Sequence, residues 1–441
     1  MSCNVDSVRV VRYVIFQRRR ARSPDATEMN ERMSFDKISD ALLAIAAGEI
    51  VVVVDDASRE NEGDLILAAE FATPEKIAFM IRHTSGVLCA TLPGQRLREL
   101  ALPLMVSDNT ESQRTAFTVS VDYTVSTTTG ISAADRCATL RALADPSSLA
   151  SDFARPGHIF PLRYCEGGVL RREGHTEAAS DLARLAGVSP VGVLAELVND
   201  DGSMSNPIQV ERFAKEHGLR RISIADLIAY RRRTEKLVEP VADARLPTRH
   251  GVFSARIYRG TLDGIEHVAL VYGEVRGEEN VLVRVHSECL TGDIFGSTRC
   301  DCGSQLDLAL EKIANEGRGV VIYLRGHEGR GIGLTSKMHA YKLQDQGRDT
   351  VEANLDLGLP IDSRNYDVGA QILGDLGVTT LRLMSNNPAK FRELEGYPLR
   401  IVERVPLVIR PTADNLAYLS TKQSKLGHYL DVLPHPPALP S

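Results

Sequence analysis

Val285 to Gly303, VHSECLTGDIFGSTRCDCG, places Cys289, Cys300 and Cys302 in a Cys-x10-Cys-x-Cys array. An apolar, strand-like segment, Val281 to Val285, leads into it, and a helical one, Gln305 to Ala314, leads out. The alternation continues through strand-like Gly319 to Leu324, helical Val368 to Leu376 and strand-like Leu381 to Met384, which predicts mixed α/β architecture. Three thiolates make an open metal site, because structural zinc takes four protein ligands whereas catalytic zinc keeps a position for water or substrate. No fourth cysteine follows, and His286 and His327 are the nearby imidazoles. Buried unliganded cysteines and a structural site closed by one of those histidines are the alternatives; the array reads as catalytic zinc. The Gly-rich turn RGHEGRGIG, Arg325 to Gly333, suits close backbone approach to a phosphate or purine and lacks the Gly-Lys-Ser/Thr of a P-loop.

The chain has 441 residues, room for two or three domains. With 25% charged and 43% hydrophobic residues its composition is that of a globular protein, neither fibrous nor wholly disordered. Apolar runs such as Ile50 to Val54 are far shorter than the roughly 20 residues of a membrane span, so no membrane partner is expected. A net charge of -6 argues against broad nucleic-acid binding. Seven cysteines, an odd number without the spacing of a disulfide framework, point to a reducing, cytoplasmic setting. Residues 1–34 carry Arg18, Arg19, Arg20 and Arg22 but no apolar core for a secretory signal, and Asp6 is out of place in a transit peptide. They read as a disordered basic arm in which Met29 and Met33 are alternative starts.

From Phe35 the pattern changes to a helix, Ile38 to Ala47, and a buried strand, Ile50 to Val54, ending at Asp55-Asp56. RENEGD, Arg59 to Asp64, follows; three carboxylates and a guanidinium at a strand end make either a solvated turn or a site for a hard cation and a phosphate. Thr73-Pro74-Glu75 opens a helix to about His83, and Cys89 reads as core. TTTGISAADR, Thr127 to Arg136, is either a phosphate-binding turn or a helix cap. His158 follows the tight turn Arg155-Pro156-Gly157. His175 and Thr176 stand at the start of an amphipathic helix, where the backbone favours anions. Glu196 interrupts the apolar run Val191 to Val198, so it either pairs or works. Arg231 to Gly251 is charged, contains two prolines and has no apolar period, and reads as a linker. The expected fold is α/β (α+β): two globular mixed-sheet domains, 35–236 and 237–441, joined by a charged linker and ending in a disordered Pro-rich tail from about 432.

Together these motifs carry a resemblance. Residues about 36–232 resemble 3,4-dihydroxy-2-butanone 4-phosphate synthase through RENEGD, TTGISAADR, RPGHIFPL, GGVLRREGHTEA and NDDGSM. Residues about 245–430 resemble GTP cyclohydrolase II through VHSECLTGD, RCDCG, EGRGIGL, LQDQG, DTVEAN, SNNPAK and ERVPL. The fused order is similar to that of the bifunctional riboflavin biosynthesis family.

The first resemblance implies conversion of ribulose 5-phosphate to a four-carbon phosphate plus formate, in a homodimer. Glu60 and His175 would hold Mg²⁺ (or Mn²⁺), and Arg59, Asp64, Arg172, Glu173, Gly174 and Thr176 would contact the substrate. His158 and Glu196 match the pair that moves protons; an enediol and a skeleton shift need a Lewis acid on the oxygens and acid/base groups on the carbons. Ala57 and Ser58 stand where the family usually has another acid. The second resemblance implies opening of the GTP imidazole ring, with loss of formate and pyrophosphate, by water activated on zinc held by Cys289, Cys300 and Cys302. Asp362 matches the proton acceptor and Arg364 the proposed nucleophile, although a guanidinium is a poor nucleophile and suits phosphate charge better. Arg284, Val285, His286, Ser287, Glu288, Gln305, Glu328, Gly329, Arg330, Thr350, Ser385 and Lys390 match GTP-contacting positions, with Ser385 replacing a Thr of some members. The rival reading is one active half beside a structural or regulatory nucleotide-binding half.

Overall fold

The computed structural model describes residues 35–430 apart from 395 and 396. The expected basic arm and Pro-rich tail lie outside the described residues.

Two compact units are present, one built from the chain up to Tyr164 with Ala179–Ser223, the other from Cys165–Ala178 and Ile224 onward. In the first, the helix α1 (Ile38–Ala46) buries Ile38, Ala41, Ala44 and Ile45, a one-sided spacing that seats it against the sheet. Seven strands follow: β1 (Val51–Val54), β2 (Gly63–Ala68), β3 (Cys89–Leu92), β4 (Val121–Tyr123), β5 (Phe153–Arg163), β6 (Gly192–Glu196) and β7 (Arg220–Ser223). They form one mixed sheet ordered β4-β5-β3-β6-β2-β1-β7. Helix α2 (Pro74–His83) starts as expected: Thr73 Oγ1 accepts from the Lys76 N–H, and Pro74 takes the first turn where no amide is required. Helix α3 (Ala133–Ala144) packs Leu140 and Leu143 into the same core as Leu65, Leu67, Ala90 and Val193. Helix α4 (His175–Leu185) starts in the Cys165–Ala178 segment and continues into this unit, and α5 (Pro207–His217) follows.

Besides Cys165–Ala178 the second unit contains the chain from α6 (Ile224–Thr234) onward, which holds a second seven-stranded sheet. Its strands are β8 (Val238–Thr248), β9 (Gly251–Gly260), β10 (Glu266–Tyr272), β11 (Val281–Ser287), β12 (Gly319–Leu324), β13 (Thr380–Met384) and β14 (Arg400–Val405), ordered β14-β13-β11-β12-β10-β9-β8. Pairing is parallel from β14 through β12 and antiparallel from there to β8. Alternate residues of β11 feed different cores: Val281, Val283 and Val285 join Ala370, Ile372 and Leu373, whereas Leu282 joins Ala309 and Ile313. A sheet covered on both faces requires such continuous apolar strands. The covering and flanking helices are α7 (Cys302–Glu316), α8 (Gly333–Asp345), α9 (Thr350–Asp356), α10 (Asp367–Asp375) and α11 (Leu416–Leu426).

The stretch expected to be an irregular linker is a correction. Arg231 is buried in α6, its guanidinium paired with Glu235 at 2.8 Å through both Nε and Nη2. Val238–Thr248 is an eleven-residue edge strand. Only Val238 of β8 is buried, so the segment shows no apolar alternation, and Pro240 and Pro247 are tolerated because an edge strand leaves one row of amides unpaired.

Candidate active site

In the first unit the turn between β1 and β2 is organised by a residue the motif reading passed over. Asp55 Oδ1 accepts from the Glu62 N–H at 2.9 Å, and Oδ2 accepts from the Glu60 N–H at 3.1 Å and from Arg59 Nη1 at 3.0 Å. Arg59 also donates to Glu60 Oε2 at 2.8 Å, so the guanidinium holds two carboxylates side by side. Asn61 closes the turn at φ +57°. Asp64 and Glu196 are direct cross-strand partners of β2 and β6 and therefore share a face; Asp64 is buried and Glu196 exposed. Cys89 is core, as expected; burial, reinforced by Glu196 and Asp64, pushes its thiol up and keeps it protonated.

His158 lies in β5 and is gripped by Asp122 of β4: the His158 N–H donates to Oδ1 at 2.8 Å and ring Nδ1 meets Oδ2 at 2.7 Å. That leaves Nε2 for chemistry and fixes the ring plane. A β-bulge between Val121 and Asp122 re-aims the acid. The hydroxyl-rich turn resolves as a cap. Thr128 and Gly130 donate to the Asp135 carboxylate and Ser132 Oγ accepts from the Asp135 N–H, so these donors are spent within the turn.

His175 and Thr176 begin α4 and are buried, following the loop residues Glu173 and Gly174. Arg172 Nη1 pairs with Glu177 Oε2 at 2.6 Å, and Oε1 of that buried acid accepts from the Cys165 N–H. Glu177 orders Arg172, a role no motif flagged.

The second unit gathers its expected residues at the carboxyl ends of the parallel strands β13, β11 and β12, where open α/β sheets place their ligands. The loop after β11 brings Cys289, Cys300 and Cys302 together with all three sulfurs within 4.8 Å and Cys289 Sγ 3.7 Å from Cys300 Sγ. Tetrahedral zinc with bonds of about 2.3 Å separates its sulfurs by roughly 3.8 Å, so the spacing fits that ion. Hydrogen bonds from the neighbouring thiols draw Cys289 well below the usual thiol range, while the bond to Cys289 raises Cys300 to about 11. Neither histidine joins the group: His286 Nε2 meets both Asp293 oxygens at 3.1 Å, and His327 Nδ1 faces Ser287 Oγ at 3.3 Å.

The group admits no extra atom. A Cβ on Gly292 would lie 2.8 Å from Cys300 Sγ and 3.3 Å from Cys289 Sγ. Gly292→Ala is therefore expected to cost the chain its metal although no ligand changes, which metal analysis of the purified variant checks; full zinc occupancy would contradict the packing argument.

Beside the sulfurs opens a cavity lined by Arg284, His286, Ser287, Glu288, Gln305, Gly329, Arg330, Thr350, Arg364, Ser385 and Lys390. Three expected residues are not in its wall. Val285 turns its side chain into the core and offers its carbonyl to Lys390 Nζ at 2.8 Å. Glu328 is buried, accepting from the Leu290 N–H and from Lys337. Asp362 lies behind Arg364, whose Nε donates to it at 2.8 Å. Burial disfavours charge on both, but their mutual bonds win: Asp362 lies below the usual carboxylate range and Arg364 above its own. Burial, with Arg284 and Arg364 nearby, drives Lys390 well below its ordinary value. Arg330 sits at φ +66°, a strained setting that holds its guanidinium in the wall. Sequence reading missed Lys337, and also Tyr418, Lys422 and His428 from the C-terminal region. Lys422 Nζ reaches Asp301 Oδ1 at 2.8 Å; Gln305 bonds to both Asp301 and Arg284, and Arg284 Nη1 ends on the Met384 carbonyl at 2.9 Å.

Comparison with known proteins finds two families along the chain. The family model for 3,4-dihydroxy-2-butanone 4-phosphate synthase matches residues 39–230, and that for GTP cyclohydrolase II matches residues 239–406. Riboflavin biosynthesis protein RibBA of Salinispora arenicola is 61% identical over 398 residues, 90% of this chain and 95% of that protein. Bifunctional riboflavin biosynthesis protein RIBA 1, chloroplastic, of Arabidopsis thaliana is 58% identical over 396 residues, 89% of this chain and 73% of that one. Among solved structures, RibBX, a two-domain 3,4-dihydroxy-2-butanone 4-phosphate synthase from A. baumannii, superposes with a TM-score of 0.64 at 35% identity, covering 84% of this chain and 99% of that one. With both families represented in order and the Salinispora relative matched over 95% of its length, the chain belongs to the bifunctional riboflavin biosynthesis protein family, a 3,4-dihydroxy-2-butanone 4-phosphate synthase fused to a GTP cyclohydrolase II.

Proposed function

We propose that the first half converts D-ribulose 5-phosphate to 3,4-dihydroxy-2-butanone 4-phosphate and formate, and that the second hydrolyses GTP to 2,5-diamino-6-ribosylamino-pyrimidinone 5'-phosphate, formate and diphosphate. The observation carrying the GTP reading is the pairing of a three-thiolate group with a cavity walled by Arg284, Arg330, Arg364 and Lys390. Burial, and after it the neighbouring Arg284, Arg364 and Lys422, disfavour the charge on Lys390, and an anionic ligand would restore it. Cys289, Cys300 and Cys302 would hold zinc, which would supply a Lewis acid toward water. Asp362, kept ionised by Arg364, is the proton acceptor. Arg364, held cationic, stabilises phosphate charge rather than attacking it. Ser287, Glu288, Gln305, Thr350 and Ser385 supply the polar contacts of the nucleotide.

In the first half Mg²⁺ or Mn²⁺, a hard cation that keeps several waters, would be held by Glu60 and His175. Its chemistry is polarisation of the sugar oxygens. Arg59 and Asp64 hold the sugar, Arg172 and Thr176 its phosphate, and His158 with Glu196 moves the protons. The protein works as a cytoplasmic homodimer.

Incubating purified protein separately with GTP and with ribulose 5-phosphate should release formate from each. Formate from one substrate alone would establish the rival reading of a single active half.

The two metals should part on chelation. Brief EDTA treatment is expected to abolish the ribulose 5-phosphate reaction and to leave GTP hydrolysis measurable once Mg²⁺ is returned, because thiolates hold zinc far more tightly than carboxylates and an imidazole hold Mg²⁺. Full sugar-phosphate turnover with no measurable divalent ion would sink the assignment of Glu60 and His175.

A further inference from the structure

Lys337, in the second turn of α8, is a buried cation that the reaction as described leaves unused. Its ammonium has three N–H groups and three acceptors: Cys289 Sγ at 3.2 Å, Thr291 Oγ1 at 2.9 Å and Glu328 Oε1 at 2.6 Å. Nothing in this geometry is left over for substrate. Glu328 is fixed from behind by the Leu290 N–H at 2.6 Å, so the acid anchors the lysine and the lysine is aimed at the sulfur. Gly329 packs over the stem, where a Cβ would stand 3.2 Å from Lys337 Cβ.

We propose that Lys337 is a positioning residue of the GTP reaction that tunes the three-thiolate group, drawing electron density out of Cys289 so that bound zinc stays a strong Lewis acid. The proposal rests on the zinc reading above. Three thiolates around a divalent ion carry a net charge of -1, which weakens the ion's pull on water. An N–H donor on one sulfur returns a positive charge at contact distance, and partners of metal ligands commonly set a metal's reactivity in this way. The same charge repels the metal ion itself. A tuning lysine therefore lowers zinc affinity while raising its reactivity, whereas a merely structural lysine would support both.

That opposition gives the test. In Lys337→Met, zinc should resist a competing chelator at least as well as in the wild-type protein, while kcat for GTP falls about 10- to 100-fold with KM unchanged. With cobalt in place of zinc, the sulfur-to-metal charge-transfer band should move to longer wavelength in Lys337→Met and stay in place in Lys337→Arg. An unchanged band and kcat, or zinc lost more readily than from wild type, would overturn the proposal. Should Lys337→Met fail to fold, the double variant K337M/E328Q removes the stranded carboxylate and carries the cobalt measurement. Absence of zinc from the wild-type protein would instead defeat the metal reading beneath it.

Discussion

Cys300→Ser is expected to bring GTP-dependent formate below detection and to empty the chain of zinc, while formate from ribulose 5-phosphate continues at the wild-type rate. Cys289 and Cys300 stand 3.7 Å apart, the span one tetrahedral ion bridges, and a serine hydroxyl is neither soft enough nor acidic enough to replace a thiolate. The loss should be complete because three protein ligands leave none in reserve and metal binding is coupled to the order of the loop. Zinc content and the two formate assays on one preparation decide it. A variant retaining both zinc and GTP turnover would show that the sulfurs were wrongly assigned; loss of both activities would show only a folding defect, which the ribulose 5-phosphate assay exposes.

His158→Ala should lower the ribulose 5-phosphate reaction by about 10²- to 10⁴-fold, the usual worth of a placed acid/base group, and leave GTP hydrolysis untouched. Asp122→Asn should produce a smaller fall in kcat with little change in KM, because the ring remains but its Nδ1 partner no longer bears charge. Gly130 supplies an independent check. A Cβ there would lie 2.0 Å from Asp122 Oδ2, and the residue's φ is +87°, so Gly130→Ala should reproduce the loss by displacing the acid. Steady-state kinetics with ribulose 5-phosphate measures all three; a fully active His158→Ala would remove His158 from the proton path.

Much of the candidate site was legible in the sequence because it lies in short runs that stay short in space: RENEGD runs from one turn into β2, and the cysteines lie between the end of β11 and the start of α7. The alternation of strand-like and helical segments around Val281 to Val285 likewise predicted mixed α/β architecture, and the structure adds that the sheet is covered on both faces. What stayed hidden depends on pairing across long separations. Asp122 meets His158 over 36 residues, Lys337 meets Cys289 over 48, and Lys422 meets Asp301 over 121; a lysine or aspartate with no local pattern gives no sign of such a partner. The edge strand β8 escaped for a different reason: exposed on both faces, it lacks the period by which strands are read.

The tie between Lys422 and Asp301 bears on how the second half could be trimmed. The match to the cyclohydrolase family model ends at residue 406, ten residues short of α11. A protein shortened there would keep every cysteine and every nucleotide motif, yet Asp301, lodged between Cys300 and Cys302, would become a buried anion without its counter-ion, at the head of the chain of bonds that runs through Gln305 to Arg284. Such a fragment should keep the motifs by which the half is recognised and still bind GTP poorly, because its last wall and its last neutralising charge arrive from residues beyond the matched segment.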